Sequence, residues 1–101
     1  MLLKDKVVIV SGIGPGLGQE LSTLAAREGA AAVVLAARTA HKLDTAEREI
    51  MDLGLGTAVL KVATDIADPA QCQALAERTV AQFGRIDVLF NSAYDPGSFE
   101  P

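Results

Sequence analysis

The chain has 101 residues, 50% of them hydrophobic, and a formal net charge of −4; these values exclude wholesale disorder and make a second domain unexpected. The negative charge argues against a nucleic-acid backbone as the main partner, because phosphate contacts need a basic face. No apolar run is long enough for an export signal or a membrane span, so we expect a cytoplasmic protein.

Cys72 and His41 are each the only residue of their type. They therefore leave no partner for an internal disulfide and no set of ligands for a zinc site. We expect no metal site and a solvated His41 in the first turn of a helix. For Cys72 we expect a buried or half-buried thiol, with a redox-sensitive surface residue as the alternative.

Short apolar runs alternate with segments of helical spacing along the chain. In chain order, the predicted elements are a strand at 7–10, a helix that begins near Leu17 and ends at Gly29, a strand at 32–36, a helix over 43–53 that ends at Gly54, a weaker strand at 58–63, a helix that begins at Pro69 behind an Asp68 cap and ends at Gly84, and a strand at 88–90. Leu24 and Val80 belong to the apolar stripes that we expect to face the sheet.

The order of these elements is β-α-β-α-β-α-β. Short connections that each contain a helix require parallel strands and right-handed crossovers. The sequence therefore predicts an α/β fold with a doubly wound parallel sheet in the order 3-2-1-4, forming one Rossmann-type domain over residues 1–101. Such a sheet normally continues after the fourth strand, so the chain looks truncated there. We expect exposed apolar surface on strands one and four, and a marginal or self-associating chain.

A glycine-rich turn joins the first strand to the first helix. Gly12, Gly16 and Gly18 form the pattern Gly-x-x-x-Gly-x-Gly, whereas the strict Gly-x-Gly-x-x-Gly fingerprint is absent. It is not a P-loop either, because Gln19 stands where that motif needs Lys. Glycines in such a turn let backbone N–H groups and the helix N-terminus approach a pyrophosphate, although a merely tight turn is the alternative. The candidate dinucleotide-binding residues of this turn are Ser11, Gly12, Ile13, Gly14, Pro15, Gly16, Leu17 and Gly18.

This turn resembles the Thr-Gly-x-x-x-Gly-x-Gly turn of the short-chain dehydrogenases/reductases, with Ser11 in place of the usual Thr, and the resemblance extends to about Ala93. It implies that Asp65 accepts a hydrogen bond from the adenine amino group of the cofactor, with Ile66 against the ring. The alternative for Asp65 is a turn or capping residue.

The segment after the fourth strand resembles the family's Asn-Asn-Ala-Gly motif. Asn91 and Ala93 match it, whereas Ser92 and Tyr94 depart from it. The resemblance implies that Asn91, Ser92 and Ala93 lie at the nicotinamide end of the site, with Asn91 tying neighbouring strands together.

The residues after the second strand bear on the choice of cofactor. Rossmann-type sites for NAD carry an acidic residue about 20 positions past the glycine turn, but here Ala37 is followed by Arg38. A guanidinium suits the 2′-phosphate of NADP, and Thr39 offers a further hydroxyl donor. NADP(H) is therefore favoured over NAD(H), with a solvated loop arginine as the alternative. The basic residue that NADP-preferring members often carry in the turn is replaced by Pro15.

Catalytic residues are not found in this sequence. The resemblance implies a Tyr with a Lys four positions later, but the only tyrosine, Tyr94, is followed at that distance by Ser98. We therefore expect the cofactor-binding portion of an NADP(H)-preferring oxidoreductase that interconverts a small carbonyl and an alcohol, and a homo-oligomer at full length. One alternative is a non-catalytic NADP-binding module. Another is an S-adenosylmethionine-dependent methyltransferase, against which Arg38 counts because that class generally needs an acidic residue there.

Overall fold

A computed structural model of the chain describes residues 2–12 and 17–91. Its elements follow the predicted order: β1 (Val7–Ser11), α1 (Leu17–Arg27), β2 (Ala32–Ala37), α2 (Ala40–Asp52), β3 (Ala58–Ala63), α3 (Pro69–Phe83) and β4 (Val88–Asn91). All seven predicted elements are confirmed, including the weaker strand β3.

The four strands form one parallel sheet in the order β3-β2-β1-β4, which confirms the predicted topology. In the register of the sheet, Ser11 at the end of β1 pairs with Ala36 of β2 and with Asn91 of β4. Ala37 at the end of β2 pairs with Ala63 of β3. The carboxyl ends of all four strands therefore meet at one edge of the sheet.

Helices cover both faces of the sheet. Every residue of β1 and β2 is buried, as expected for continuous Val, Ile, Leu and Ala runs in a parallel sheet. On one face, Val8 and Leu35 pack with Ala25 of α1 and Ile50 of α2. The opposite face packs against α3, so the fold has three layers with its core on each side of β1 and β2.

The expected exposure of strand one is wrong, whereas that of strand four is confirmed. Val7 and Ile9 of β1 are buried because they pack in one cluster with Leu75 and Phe83 of α3. Leu89 of β4 pairs with Ile9 in register and so lies on the same face, yet it remains 60% exposed. Among the described strands, β4 therefore carries the large apolar side chain that is left exposed.

Two apolar residues expected on buried helix faces are exposed instead. Leu24 is 52% exposed because α1 packs on the sheet through the small residues Ser22 and Ala25, which turns Leu24 outwards. Val80 is 48% exposed because α3 packs mainly through Leu75 and Thr79. Small side chains let a helix approach the sheet closely, and a stripe of large apolar residues does not reveal this.

The ends of α3 are those that the sequence predicts. The Asp68 side chain accepts a hydrogen bond from the N–H of Ala70 at 3.0 Å, and Pro69 occupies the first turn. Gly84 ends the helix with φ of 81°, a left-handed conformation that glycine adopts without steric cost. The cap at Asp68 therefore sets where the loop that follows β3 enters α3, and Gly84 sets where the chain turns towards β4.

Candidate functional site

The carboxyl edge of the sheet carries most of the residues singled out in the sequence. Ser11 and Gly12 follow β1, Arg38 and Thr39 follow β2, Asp65 and Ile66 follow β3, and Asn91 ends β4. Ligands of open α/β sheets bind in the crevice at this edge. The candidates Ile13, Gly14, Pro15, Gly16, Ser92 and Ala93, and the side chain of Leu17, lie outside the described residues.

Ser11 and Asn91 tie β1 to β4 at this edge. Ser11 is buried, and its hydroxyl donates a hydrogen bond to Oδ1 of Asn91 at 3.0 Å. This bond confirms the strand-tying role expected for Asn91. The backbone N–H of Gly12 donates to the carbonyl of Ala36 at 2.9 Å, and Gly12 has φ of 84°. A residue with a Cβ would be strained at that φ, so glycine is required where the chain leaves β1.

The first turn of α1 is held from two sides. Gly18 is buried, and its carbonyl accepts a hydrogen bond from the hydroxyl of Ser22 at 2.9 Å. The side chain of Gln19 donates to Glu49 of α2. Since α1 begins at Leu17, its N-terminal N–H groups lie at the end of the glycine-rich turn, where a helix terminus favours an anion.

Arg38 and Thr39 stand at the N-terminus of α2. Both are exposed, and no described residue forms an ion pair or hydrogen bond with the Arg38 guanidinium. Thr39 is the N-cap residue, yet its hydroxyl makes no capping hydrogen bond. The first turn of α2 has no acidic residue and contains His41 and Lys42, both exposed. His41 thus lies where the sequence predicts, and this corner offers donors and positive charge to an anion.

Asp44, the first acidic residue of α2, forms an ion pair with a lysine of β3. Oδ1 of Asp44 lies 2.8 Å from Nζ of Lys61 on β3, and Glu47 lies 3.0 Å from the same nitrogen. The hydrogen bond from Lys61 holds the pKa of Asp44 below its usual value, so this carboxylate stays ionised and paired. The pairing keeps α2 against β3 and leaves Arg38 without a competing carboxylate in this helix.

Asp65 organises the loop between β3 and α3. Its Oδ1 accepts a hydrogen bond from the N–H of Ala67 at 2.9 Å, which agrees with the turn-forming alternative. No described residue binds its Oδ2 or accepts a hydrogen bond from the N–H of Ile66. Ile66 is 38% exposed. One acceptor, one donor and an apolar side chain therefore remain available on the same loop.

Two residues of α3 that the sequence analysis did not assign to the site hold this loop. Oε1 of Gln71 accepts a hydrogen bond from the N–H of Asp65 at 2.7 Å, and Nε2 of Gln71 lies 3.2 Å from Oδ2 of Asp68. The half-buried thiol of Cys72 lies 3.4 Å from the carbonyl oxygen of Ile66. The half-buried position of Cys72 confirms the expectation of a buried or half-buried thiol. The hydrogen bonds of Gln71 to the loop could not be predicted from its position in the sequence.

Asp87 joins β4 to β1 at the opposite, amino edge of the sheet. The sequence analysis did not single out this residue either. Its Oδ2 accepts from the N–H of Val7 at 2.8 Å, and its own N–H donates to the carbonyl of Val7 at 2.9 Å. The Arg85 guanidinium and the Val7 N–H hold the pKa of the Asp87 carboxyl below its usual value. Asp87 thus aligns β4 with β1 from below, and the Ser11–Asn91 bond aligns them from above.

Residues 2–12 and 17–91 contain neither a candidate metal site nor a candidate membrane span. This part of the chain contains no group of three or more His, Cys, Asp and Glu residues that could hold a metal ion. None of its helices combines the length and apolar character needed to cross a bilayer.

Known proteins resemble the chain over nearly all of its length. It is 40% identical over 91 residues to an uncharacterized oxidoreductase of Staphylococcus saprophyticus, covering 90% of this chain and 35% of that protein. It is 33% identical over 97 residues to the levodione reductase of Leifsonia aquatica, covering 96% of this chain and 36% of that protein.

Solved structures share the fold. The L-sorbose reductase from Gluconobacter frateurii, complexed with NADPH and L-sorbose, matches with a TM-score of 0.83 and 34% identity over 92% of this chain and 35% of its own. A short chain dehydrogenase from Mycobacterium smegmatis matches with a TM-score of 0.83 and 39% identity over 91% of this chain and 38% of its own. The chain thus spans little more than a third of each of these proteins. A family model described as short chain dehydrogenase matches residues 6–95; the chain belongs to the short-chain dehydrogenase family, whose members matched here are oxidoreductases.

Proposed function

We propose that this chain is the cofactor-binding portion of an NADP(H)-preferring oxidoreductase that interconverts a carbonyl and an alcohol. The observation that carries the NADP(H) preference is the corner at the N-terminus of α2. There the Arg38 guanidinium has no ion-pair or hydrogen-bond partner among the described residues, and the Thr39 hydroxyl makes no capping hydrogen bond. An NAD site would need a carboxylate near this point for the ribose hydroxyls. Arg38 and Thr39 instead suit a 2′-phosphate.

The remaining groups at the edge fit the other parts of a dinucleotide. The glycine-rich turn from Ser11 to Gly18 and the N-terminus of α1 would hold the pyrophosphate. Oδ2 of Asp65 would accept from the adenine amino group, with Ile66 against the ring. Asn91, followed by Ser92 and Ala93, would lie at the nicotinamide end. When bound, the cofactor supplies the hydride that a carbonyl reduction requires.

The chemistry at the carbonyl is assigned to the whole protein rather than to these residues. A carbonyl reduction needs a proton donor beside the oxygen, and the 101 residues contain no Tyr with a Lys four positions later. The names of the levodione and L-sorbose reductases support a small carbonyl or alcohol as the substrate class. We further propose a cytoplasmic, homo-oligomeric full-length protein.

Ligand-dependent thermal unfolding tests this function against its alternatives. NADPH, NADH and S-adenosylmethionine are each added to the chain at equal concentration, and the midpoint is measured. A ligand that binds only the folded state raises the midpoint by mass action, so NADPH should give the largest rise. Protection by S-adenosylmethionine alone would favour a methyltransferase, and no protection by either dinucleotide would reject the proposal. Reductase activity of the full-length protein then separates the oxidoreductase from a non-catalytic NADP-binding module.

A further inference from the structure

We propose that Gln71 is a positioning residue for the adenine end of the cofactor site. It holds the loop of Asp65 and Ile66 in the conformation that reads the base, although it does not itself contact the cofactor. This inference rests on the proposed function and adds to it a residue that determines base specificity.

The Gln71 amide joins the two ends of the loop. Its oxygen accepts from the N–H of Asp65 at 2.7 Å, and its nitrogen donates to Oδ2 of Asp68 at 3.2 Å. Among uncharged side chains of this length, only a glutamine can both accept and donate in this way. Asp68 also caps α3 through its Oδ1, so one amide connects the loop directly to the start of a helix.

The helix provides a fixed support for this amide. Leu75 is buried and Thr79 is fully buried, and they lie four and eight residues after Gln71 on α3. The thiol of Cys72 adds a second contact, to the carbonyl oxygen of Ile66 at 3.4 Å. The loop is thus held at Asp65 and at Ile66 by consecutive residues of the first turn of α3.

These bonds determine which polar atoms of the loop can face a ligand. Gln71 occupies the N–H of Asp65, and the N–H of Ala67 occupies Oδ1 of Asp65. Oδ2 of Asp65 and the N–H of Ile66 then have no partner among the described residues. They form an acceptor and a donor on adjacent residues, which complement the amino group and the ring nitrogen on the Watson–Crick edge of adenine. If Gln71 released Asp65, this pair would lose its fixed orientation.

The test compares two cofactors that differ only in the base. NADPH carries adenine, whereas deamino-NADPH carries hypoxanthine and lacks the amino group. Their dissociation constants are measured by titration calorimetry for the unaltered chain, for Gln71→Met and for Gln73→Met. Gln73 is the matched control, because it lies on the same helix and its amide donates to Glu77, its one hydrogen-bond partner among the described residues, away from the loop.

The unaltered chain and Gln73→Met should bind NADPH about tenfold more tightly than deamino-NADPH, the size expected for a specific hydrogen bond. Gln71→Met should lose most of this preference. A preference that stays intact in Gln71→Met, or is absent from the unaltered chain, would overturn the inference. Failure of the unaltered chain to bind either cofactor would instead reject the proposed function.

A second measurement follows the loop without any ligand. Hydrogen exchange of the Asp65 amide should be faster in Gln71→Met than in Gln73→Met, and equal rates would contradict the positioning role. If Gln71→Met does not fold, Gln71→Ala replaces it, because it removes the same two bonds and should likewise lose most of the base preference. An intact preference in a folded Gln71→Ala would overturn the assignment to these bonds.

Discussion

Replacement of Arg38 by alanine gives the sharpest test of the proposed NADP(H) preference. The guanidinium is exposed and unpaired within the described chain, so its removal breaks no existing ion pair and should leave the fold intact. A hydrogen-bonded contact with a charged group contributes about 1.5–3 kcal/mol. Exposure reduces this value, and we therefore take about 1.5–2.5 kcal/mol, or roughly 10- to 70-fold in the dissociation constant.

The loss should be specific to the phosphorylated cofactor. NADPH and NADH differ only in the 2′-phosphate, so Arg38→Ala should weaken NADPH by that factor and change NADH by less than about twofold. Arg48→Ala is a matched control, because Arg48 is an exposed arginine within α2, ten positions after Arg38. Titration calorimetry at two salt concentrations adds a further check, since an exposed ionic contact weakens as the Debye length shortens.

Two results would refute the reasoning about Arg38. Equal weakening of NADPH and NADH would show that Arg38 supports the fold or the pyrophosphate rather than the 2′-phosphate. An effect of the same size from Arg48→Ala would show that the net charge of α2, and not a specific contact, sets the preference.

Three further predictions concern the stability and association of the chain. Ile50→Ala should lower the free energy of unfolding in urea by about 2–5 kcal/mol, because Ile50 is 2% exposed in the core. The neighbouring Met51 is 52% exposed, so Met51→Ala should change this free energy by less than about 0.5 kcal/mol. Asp87→Asn should make the Tm fall less steeply as the pH is lowered into the acid range. The folded pKa of Asp87 lies below its usual 3.8, so the ionised carboxylate stabilises the fold above that pH. This stabilisation is lost as the pH falls through the folded pKa, and the Asn variant has none to lose. Leu89→Ser should reduce self-association in sedimentation velocity, because Leu89 is the 60% exposed apolar residue of β4.

Each of these predictions has a contradicting outcome. Equal losses of unfolding free energy in Ile50→Ala and Met51→Ala would mean that α2 does not bury the face that carries Ile50. If the Tm of Asp87→Asn falls as steeply with acid pH as that of the unaltered chain, then other carboxylates cause the acid sensitivity. Self-association that persists in Leu89→Ser would mean that the self-association surface does not include the exposed side chain of β4.

The element order and the sheet topology could be predicted from the sequence because both depend on local patterns. Continuous runs such as residues 32–36 indicate a strand buried on both faces, and connections that each contain a helix leave few possible topologies. The cap at Asp68 and the stop at Gly84 follow from single-residue preferences, and both are observed. The orientation of α1 could not be predicted in this way, because Ser22 and Ala25 set its approach to the sheet and leave Leu24 outside.

Residues whose roles depend on partners from other elements were missed. Asp87 bonds to the N–H of Val7 across 80 positions of the chain, and no local pattern marks such a pair. Gln71 lies only six positions from Asp65, but its role depends on the curvature of a loop that spacing alone does not define. The expectation of exposed apolar surface on strand one was wrong for a related reason, because the cover over Val7 and Ile9 depends on the path of α3 across the neighbouring strands.

The two ends of the sheet use their polar groups differently. At the amino edge, Asp87 exchanges bonds with Val7 and with Arg85, so its polar groups stabilise the fold. At the carboxyl edge, the guanidinium of Arg38 and the hydroxyl of Thr39 have no partner in the described part of the chain. These donors face solvent and not partners within the described fold, so they are free to bind the 2′-phosphate of the proposed cofactor, and Arg38→Ala is therefore expected to separate NADPH from NADH.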